Sequence, residues 1–313
     1  MYISVIIPTY KRVKSLSSCI DGINNQSRLP DEVIVVIRDT DIESLSYVAE
    51  LENTIVRCVL INTSGTVAAL NLGIMNAIGD VIVVTDDDTV PFSNWIEKIE
   101  AHFNQDFKLG GLAGKDYVYH SGVLEAGNNK RVGKLLWFGR MIGNHHIGAG
   151  GIREVDIMKG ANMSFRKEAI EGLWFDSYLK GSGAQVHLEV GFSLSIKEKG
   201  WKLIYDPTVC VNHFPAERHD EDKRNGFNET AAFNNAHNET YSILRHLGLV
   251  RRILFLFWIF VVGSKPSPGI VQYVRMVPSI GNKLGFKKLL ISFKGRIEGW
   301  KTWRLYNKSG HYE

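Results

Sequence analysis

Four short, mainly apolar runs (residues 2–7, 33–37, 55–61 and 81–84) alternate with stretches of helical periodicity through the first hundred residues. Runs this short have the length of strands rather than of buried helices. Pro8 ends the first run. Leu16, Ile20 and Ile23 then mark one face of a helix, a second helix is predicted over 42–51, and a third over 68–77 stops before Gly79. Strands alternating with helices imply a parallel sheet with right-handed crossovers, so the fold class is predicted as α/β, a Rossmann-like sheet flanked by helices.

The fourth run leads directly into Asp86, Asp87 and Asp88. Carboxylates at the C-terminal end of a buried strand lie where open α/β sheets place their ligands. Two of them spaced Asp-x-Asp, Asp86 and Asp88, suit a hard divalent cation such as Mg2+ or Mn2+ together with a neighbouring hydroxyl. The competing use is capping of a helix that begins near Ser93, for which one aspartate suffices.

Composition narrows the class further. Hydrophobic residues make up 44% and charged residues 22%, which excludes a mainly disordered chain. Cys19, Cys58 and Cys210 are too few and too scattered for a disulfide framework or a zinc site, and they fit a reducing compartment. A first strand from Tyr2 leaves no room for a signal peptide, so cytoplasmic placement is predicted and the Asn-x-Ser/Thr triplets at Asn62, Asn228 and Asn238 are chance matches. Charge divides sharply: residues 251–313 carry 12 Lys and Arg against 2 Asp and Glu, whereas residues 1–250 carry 25 against 31. Such a step points to a change of environment or partner.

Beyond Phe107 the pattern is less regular. Short strands are predicted at 110–113, 117–119 and 155–158, with a glycine-rich loop between them that includes His145 and His146. These two histidines have no further ligands at metal spacing. Lys159-Gly160-Ala161-Asn162 reads as a small-residue turn that lets the backbone approach a substrate. Residues 185–200 give a conflict: Val186, Leu188, Val190, Phe192, Leu194 and Ile196 alternate like a strand, yet Lys197-Glu198-Lys199-Gly200 is a helix C-terminus. Trp201 to Asp206, Pro207 and a short strand at 209–212 ending at His213 follow.

Taken in order, these motifs resemble the family 2 glycosyltransferases, inverting nucleotide-sugar enzymes with the GT-A fold. The matches are Ser4-Val5-Ile6-Ile7-Pro8-Thr9-Tyr10-Lys11-Arg12, Ala69-Leu70-Asn71-x-Gly73, Gly79-Asp80 leading to Asp86-Asp87-Asp88, Gly160-Ala161-Asn162-Met163-Ser164-Phe165-Arg166, Trp174-Phe175-Asp176, and Leu188-Glu189 with Gly200, Lys202, Tyr205, Pro207 and His213 downstream. The resemblance spans about residues 2–215. It implies a catalytic domain over 1–215, with a nucleotide-binding half to about 105 and an acceptor half from 106, followed by a helical, basic extension over 216–313. It also turns residues 186–199 into a helix. Two positions depart from the family pattern: Ile37-Arg38 stands where an aspartate commonly reads the nucleobase, and Leu188-Glu189 stands for a Glu-Asp pair.

By the same resemblance, Asp88 and His213 hold a divalent metal, Mn2+ or Mg2+, and Glu189 is the general base. Pro8, Thr9, Tyr10, Arg12, Arg38, Asn71, Asp86 and Asp87 contact a nucleoside-diphosphate sugar. Gly160, Ala161, Asn162, Trp174 and Asp176 contact a glycan or polyprenyl-linked acceptor. A nucleotidyltransferase is the rival enzyme, although Pro8-Thr9-Tyr10-Lys11-Arg12 lacks the glycines of a phosphate loop; a non-catalytic membrane-surface scaffold is the rival outside enzymology. The acidic balance of residues 1–250 argues against nucleic acid as a partner.

The C-terminal segment supplies the last expectation. Residues 253–262 are apolar but number half of the roughly 20 needed to span a bilayer. Trp300, Trp303 and Tyr306 alternate with Lys301, Arg304 and Lys308, a pairing suited to an anionic headgroup layer. Peripheral attachment to the inner face of the cell membrane is predicted; packing on the catalytic domain or a homo-oligomer interface is the alternative use of these helices.

Overall fold

The computed structural model describes residues 1–222 and 226–308. The chain forms two compact units that interleave along the sequence: Met1–Lys134, Ile142–Phe175 and Phe192–Glu217 make the first, and Leu135–Met141, Asp176–Gly191 and Arg218–Glu313 the second.

The first unit is built on the expected alternation: β1 (Ile3–Thr9), α1 (Val13–Asn24), β2 (Glu32–Arg38), α2 (Ile42–Ala49), β3 (Val56–Ile61), α3 (Thr66–Asn76) and β4 (Val81–Thr85). These strands pair in parallel, with β1 between β4 and β2, and β3 outside β2. Ile3, Val5, Ile7, Val33, Val35, Val81 and Val83 are fully buried beneath Leu16, Ile20 and Ile23, which is why the runs read as nearly continuous apolar sequence. After β4 come β5 (Thr89–Pro91), α4 (Trp95–Gln105), β6 (Leu109–His120), the two-residue strands β7 (Val123–Leu124), β8 (Lys134–Leu135), β9 (Met141–Ile142) and β10 (Arg153–Glu154), then β11 (Asn162–Arg166), α5 (Leu188–Glu198) and β12 (Lys202–His213). The ten-stranded mixed sheet runs β10-β12-β6-β11-β4-β1-β2-β3, with β5 on β12 and β7 on β6. Antiparallel β11 joins β4 to β6.

Four local expectations are corrected. Residues 110–113 and 117–119 belong to one strand, β6, whose middle carries Lys115 and Asp116 where the sequence suggested a break. Residues 155–158 form no strand; their buried side chains Val155, Ile157 and Met158 are apolar for packing instead. The motif read as a turn is a turn only as far as Ala161, after which β11 enters the middle of the sheet. Residues 202–213 are a single strand, β12, with a register shift between Asp206 and Cys210 that absorbs Pro207 and its missing N–H. The helix expected at 186–199 is present as α5, and Val190, Phe192, Ser193, Leu194 and Ile196 are all buried. A helix buried around most of its circumference loses the one-sided 3.6-residue signature, which explains its strand-like text.

The second unit holds α6 (Glu229–Arg245), α7 (Leu249–Val261), α8 (Ile270–Ile280) and α9 (Asn282–Lys308). Here α9 lies against α6 through Gly295 and Gly299. A Cβ on Gly295 would sit 2.5 Å from the Phe233 carbonyl oxygen, and one on Gly299 would sit 2.6 Å from that of His237. Two glycines four residues apart thus let the backbones touch. By contrast, α8 buries no residue at all.

Candidate functional site

The site is assembled where β4 ends. Asp86, Asp87 and Asp88 occupy the turn between β4 and β5, and α4 starts only at Trp95, with Asn94 at its N-cap and no side-chain cap bond. The aspartates therefore do not serve as the helix cap. Thr89 closes the turn, its hydroxyl donating to the Asp86 carbonyl at 2.8 Å. Pairing of β5 with β12 sets Thr89 opposite His213, which carries the imidazole to the aspartates. His213 Nε2 lies 3.2 Å from Asp88 Oδ1, and the Ala216 N–H donates to Asp88 Oδ2 at 2.9 Å.

Asp86, Asp88 and His213 each offer a ligand atom, and all three atoms fall within 4.8 Å of one another. Two carboxylates and an imidazole form a donor set for Mn2+ or Mg2+. The fit has a second sign: His213 Nε2 is buried, faces the carboxylates and makes no hydrogen bond. Among the described residues no other group of three such side chains converges. His145 is instead a core residue against the Ile157 carbonyl, and His146 pairs with Glu125.

Burial and neighbouring charges oppose one another throughout the cluster. Burial disfavours the His213 cation, but the Asp116 and Asp88 carboxylates on either side outweigh it and push the imidazole up to about 9. Burial likewise opposes the Asp88 carboxylate, yet His213 and Arg12 hold it down at about 2. Asp87 goes the other way: burial pushes it up to about 7, against the pull of Arg12.

Several side chains singled out from the sequence prove to be supports. Asp87 is fully buried, accepts from the Thr9 hydroxyl at 2.6 Å and pairs with Arg12 at 2.8 Å, so Thr9, Arg12 and Asp87 brace the turn from within. Asn71 turns its amide to the Phe175 backbone, accepting from its N–H at 2.9 Å and donating to its carbonyl at 2.8 Å. Asn162 is 2% exposed and holds the Lys115 and Val209 carbonyls while accepting from Trp95 Nε1, so it is an internal hub rather than an acceptor contact. Trp174 lines an open cavity of about 700 Å³ with Met1 and Asp80. That cavity lies at the opposite end of β4 from Asp86, roughly 16 Å away along a five-residue strand. Pro8 and Tyr10 stand at the end of β1 beside the turn's supports, and the Tyr10 ring carries the Arg38 guanidinium 4.8 Å above its centre. Gly160 and Ala161 precede β11, and a Cβ on Gly160 would meet open space.

The remaining two lie in the second unit. Asp176 is engaged on both oxygens, accepting from the Tyr241 hydroxyl at 2.6 Å, from the Tyr178 N–H at 2.8 Å, and pairing with Arg245. Glu189 is half-buried in the first turn of α5, just after His187, whose φ of 68° is left-handed. The loop before it is tied to α6 by Asn238, which bonds the Lys180 N–H, the Lys180 carbonyl and the Val186 carbonyl.

One member of the cluster escaped the sequence reading. Asp116, 1% exposed at the middle of β6, is ion-paired to Lys159 and lies 3.5 Å from His213 Nδ1. An isolated carboxylate inside a long strand was the available signal, and it fell in the gap between the two short strands expected at 110–113 and 117–119.

Comparison with known proteins agrees with this architecture. An uncharacterized glycosyltransferase, YwdF, of Bacillus subtilis (strain 168) is 34% identical over 101 residues, which is 32% of this chain and 37% of that relative. The chain thus aligns with little more than a third of that relative's length. Among solved structures, GalNAc-T7 with UDP, GalNAc and Mn2+ superposes with a TM-score of 0.61 at 15% identity, covering 93% of this chain and 58% of that one. Residues 1–349 of S. aureus TarS with UDP-GlcNAc give 0.59 at 13%, covering 100% and 93%. The mannosyltransferase PcManGT of Pyrobaculum calidifontis with GDP-Man and Mn2+ gives 0.55 at 15%, covering 99% and 88%. These likenesses establish the GT-A fold. Residues 4–173, which include β1 to β4 and the aspartates at their end, match glycosyl transferase family 2, and the chain belongs to that family.

Proposed function

We propose that the chain transfers a sugar from a nucleoside-diphosphate sugar to a hydroxyl of a glycan or lipid-linked glycan, with inversion at the anomeric carbon. The observation that carries this reading is the convergence of Asp86, Asp88 and His213 at the C-terminal end of β4. It is supported by family membership and by related folds captured with UDP-GlcNAc or GDP-Man. A nucleotidyltransferase is set aside by that membership.

Asp88 and His213 would hold the divalent cation, with Asp86 shared between it and the ribose hydroxyls. When bound, the cation supplies Lewis-acid stabilisation to the departing diphosphate. Thr9, Arg12 and Asp87 keep the turn rigid, which preserves the ligand geometry without moving parts. Tyr10 with Arg38 forms the wall offered to the nucleoside. Glu189 takes the proton from the acceptor hydroxyl as its oxygen bonds to the anomeric carbon and the sugar–diphosphate bond breaks.

The same reading attaches the protein to the cytoplasmic face of the cell membrane, in polysaccharide synthesis at the cell envelope. No helix among the described residues is long and apolar enough to cross a bilayer. Exposed Leu249, Val250, Ile253, Phe257 and Val274 stand among Arg251, Arg252 and Arg275, the mixture that suits an interfacial helix.

The deciding experiment follows the anomeric proton by NMR while nucleotide sugars are turned over in Mn2+. An inverted product, lost in Asp88→Ala, supports the reading; a retained configuration or full activity in that variant refutes it.

A further inference from the structure

The imidazole of His213 is held between two buried carboxylates. On one side Nε2 faces Asp88 Oδ1 at 3.2 Å; on the other, Nδ1 lies 3.5 Å from Asp116 Oδ2. Strand pairing produces this arrangement: β6 and β12 run parallel with Asp116 beside Val211 and Val118 beside His213, so Asp116 sits one side-chain step behind the imidazole. Lys159, at the turn before β11, closes on the same Asp116 oxygen.

The Lys159 ion pair and the imidazole both fall on one oxygen of Asp116. Asp116 is 1% exposed, and its Oδ1 is buried without a hydrogen-bond partner among the described residues. A buried charge with half its acceptor capacity unused costs stability, and an apolar side chain in a strand core costs none. A histidine that binds a metal through one ring nitrogen, however, gains orientation and basicity when the other donates to a carboxylate.

We propose that Asp116 is a positioning residue: clamped by Lys159, it fixes His213 as the Nδ1–H tautomer and turns the Nε2 lone pair into the Asp86–Asp88 cluster, thereby setting the affinity of the site for a divalent cation. This rests on reading that cluster as a cation site.

The test is a Mn2+ titration of the full chain, followed by electron paramagnetic resonance, with no nucleotide present. Asp116→Ala is expected to weaken Mn2+ binding roughly 10- to 100-fold. Asp116→Asn, whose amide oxygen still accepts from Nδ1–H, should recover part of that loss. Nitrogen-15 spectra of the histidine-labelled, Mg2+-saturated protein should show the Nδ1–H form of His213 in the wild type and a mixture in Asp116→Ala, a change that a purely structural role would not cause. If Asp116→Ala fails to fold, Lys159→Met takes its place and should weaken Mn2+ binding by releasing the clamp. Binding abolished by Asp88→Ala but unchanged by the Asp116 and Lys159 substitutions overturns the positioning role alone. Binding indifferent to Asp88→Ala overturns the cation site and this inference with it.

Discussion

Glu189 stands in the first turn of α5, just after a loop that Asn238 anchors at three backbone atoms. Glu189→Gln keeps the shape and removes the proposed base, so turnover should fall about 10³-fold while nucleoside diphosphate binding is retained. Nucleotide release and calorimetry would measure the two separately, and near-normal release would assign the proton elsewhere. Asp176 is a poor substitute, since Tyr241, Tyr178 and Arg245 already occupy it. A second residue reports on acid stability. Burial lowers His145 from its ordinary 6.5 to about 4. Between those values the unfolded chain binds the proton and the folded one does not, so this contribution is intact above pH 6.5 and is lost as the pH falls towards 4. A shift of that size corresponds to about 3 kcal/mol. Chemical denaturation at pH 7.5 and 4.5 should show a smaller difference for His145→Gln than for the wild type. At this scale the sequence revealed what repetition made visible. Asp86 and Asp88 stood out as neighbours, and His213 through resemblance. The parts that Asn71, Asn162 and Asp116 play were not legible, because whether a polar side chain meets a ligand or braces the fold depends on partners about 50 to 100 positions away.

Among elements, the central strands were legible because burial on both faces writes an apolar run, while β6 read as two pieces, β11 as a turn, and α5 as a helix only through the family resemblance. Lys115 and Asp116 interrupt β6, β11 follows a small-residue turn, and α5 is buried too widely to show a face. The contact of α6 with α9 was equally hidden, since glycines are silent in a hydrophobic pattern. Propensity alone would favour Gly299→Val by a few tenths of a kcal/mol within a helix. The added side chain would meet the His237 carbonyl at 2.6 Å, and backbone cannot yield as a flexible side chain does. Packing should win, with a net loss of about 3 kcal/mol. Thermal melting would check the sign: a stabilised Gly299→Val protein would mean that the helices are not in backbone contact.

For the whole molecule, the charge step and the exposed apolar residues of α7 and α8 belong together. Liposomes containing anionic lipid should float the wild-type protein at low salt, and salt should weaken the attachment, because each basic residue near the surface contributes roughly 1 kcal/mol. Phe257→Asp combined with Val274→Asp removes exposed apolar surface without touching a buried residue, and this variant should remain at the bottom of the gradient. Protein that stays at the bottom in both forms would leave the helices to another partner.

The interleaving of the two units has a consequence during synthesis. The chain passes between them five times, and the loop just before Glu189 receives its Asn238 anchor only after nearly fifty further residues have been added. A ribosome-bound or prematurely terminated chain ending at residue 217 would contain Asp86, Asp88 and His213 but an untethered Glu189, the proposed base. On the proposed mechanism, such a fragment should still take up Mn2+ in a binding assay and transfer no sugar.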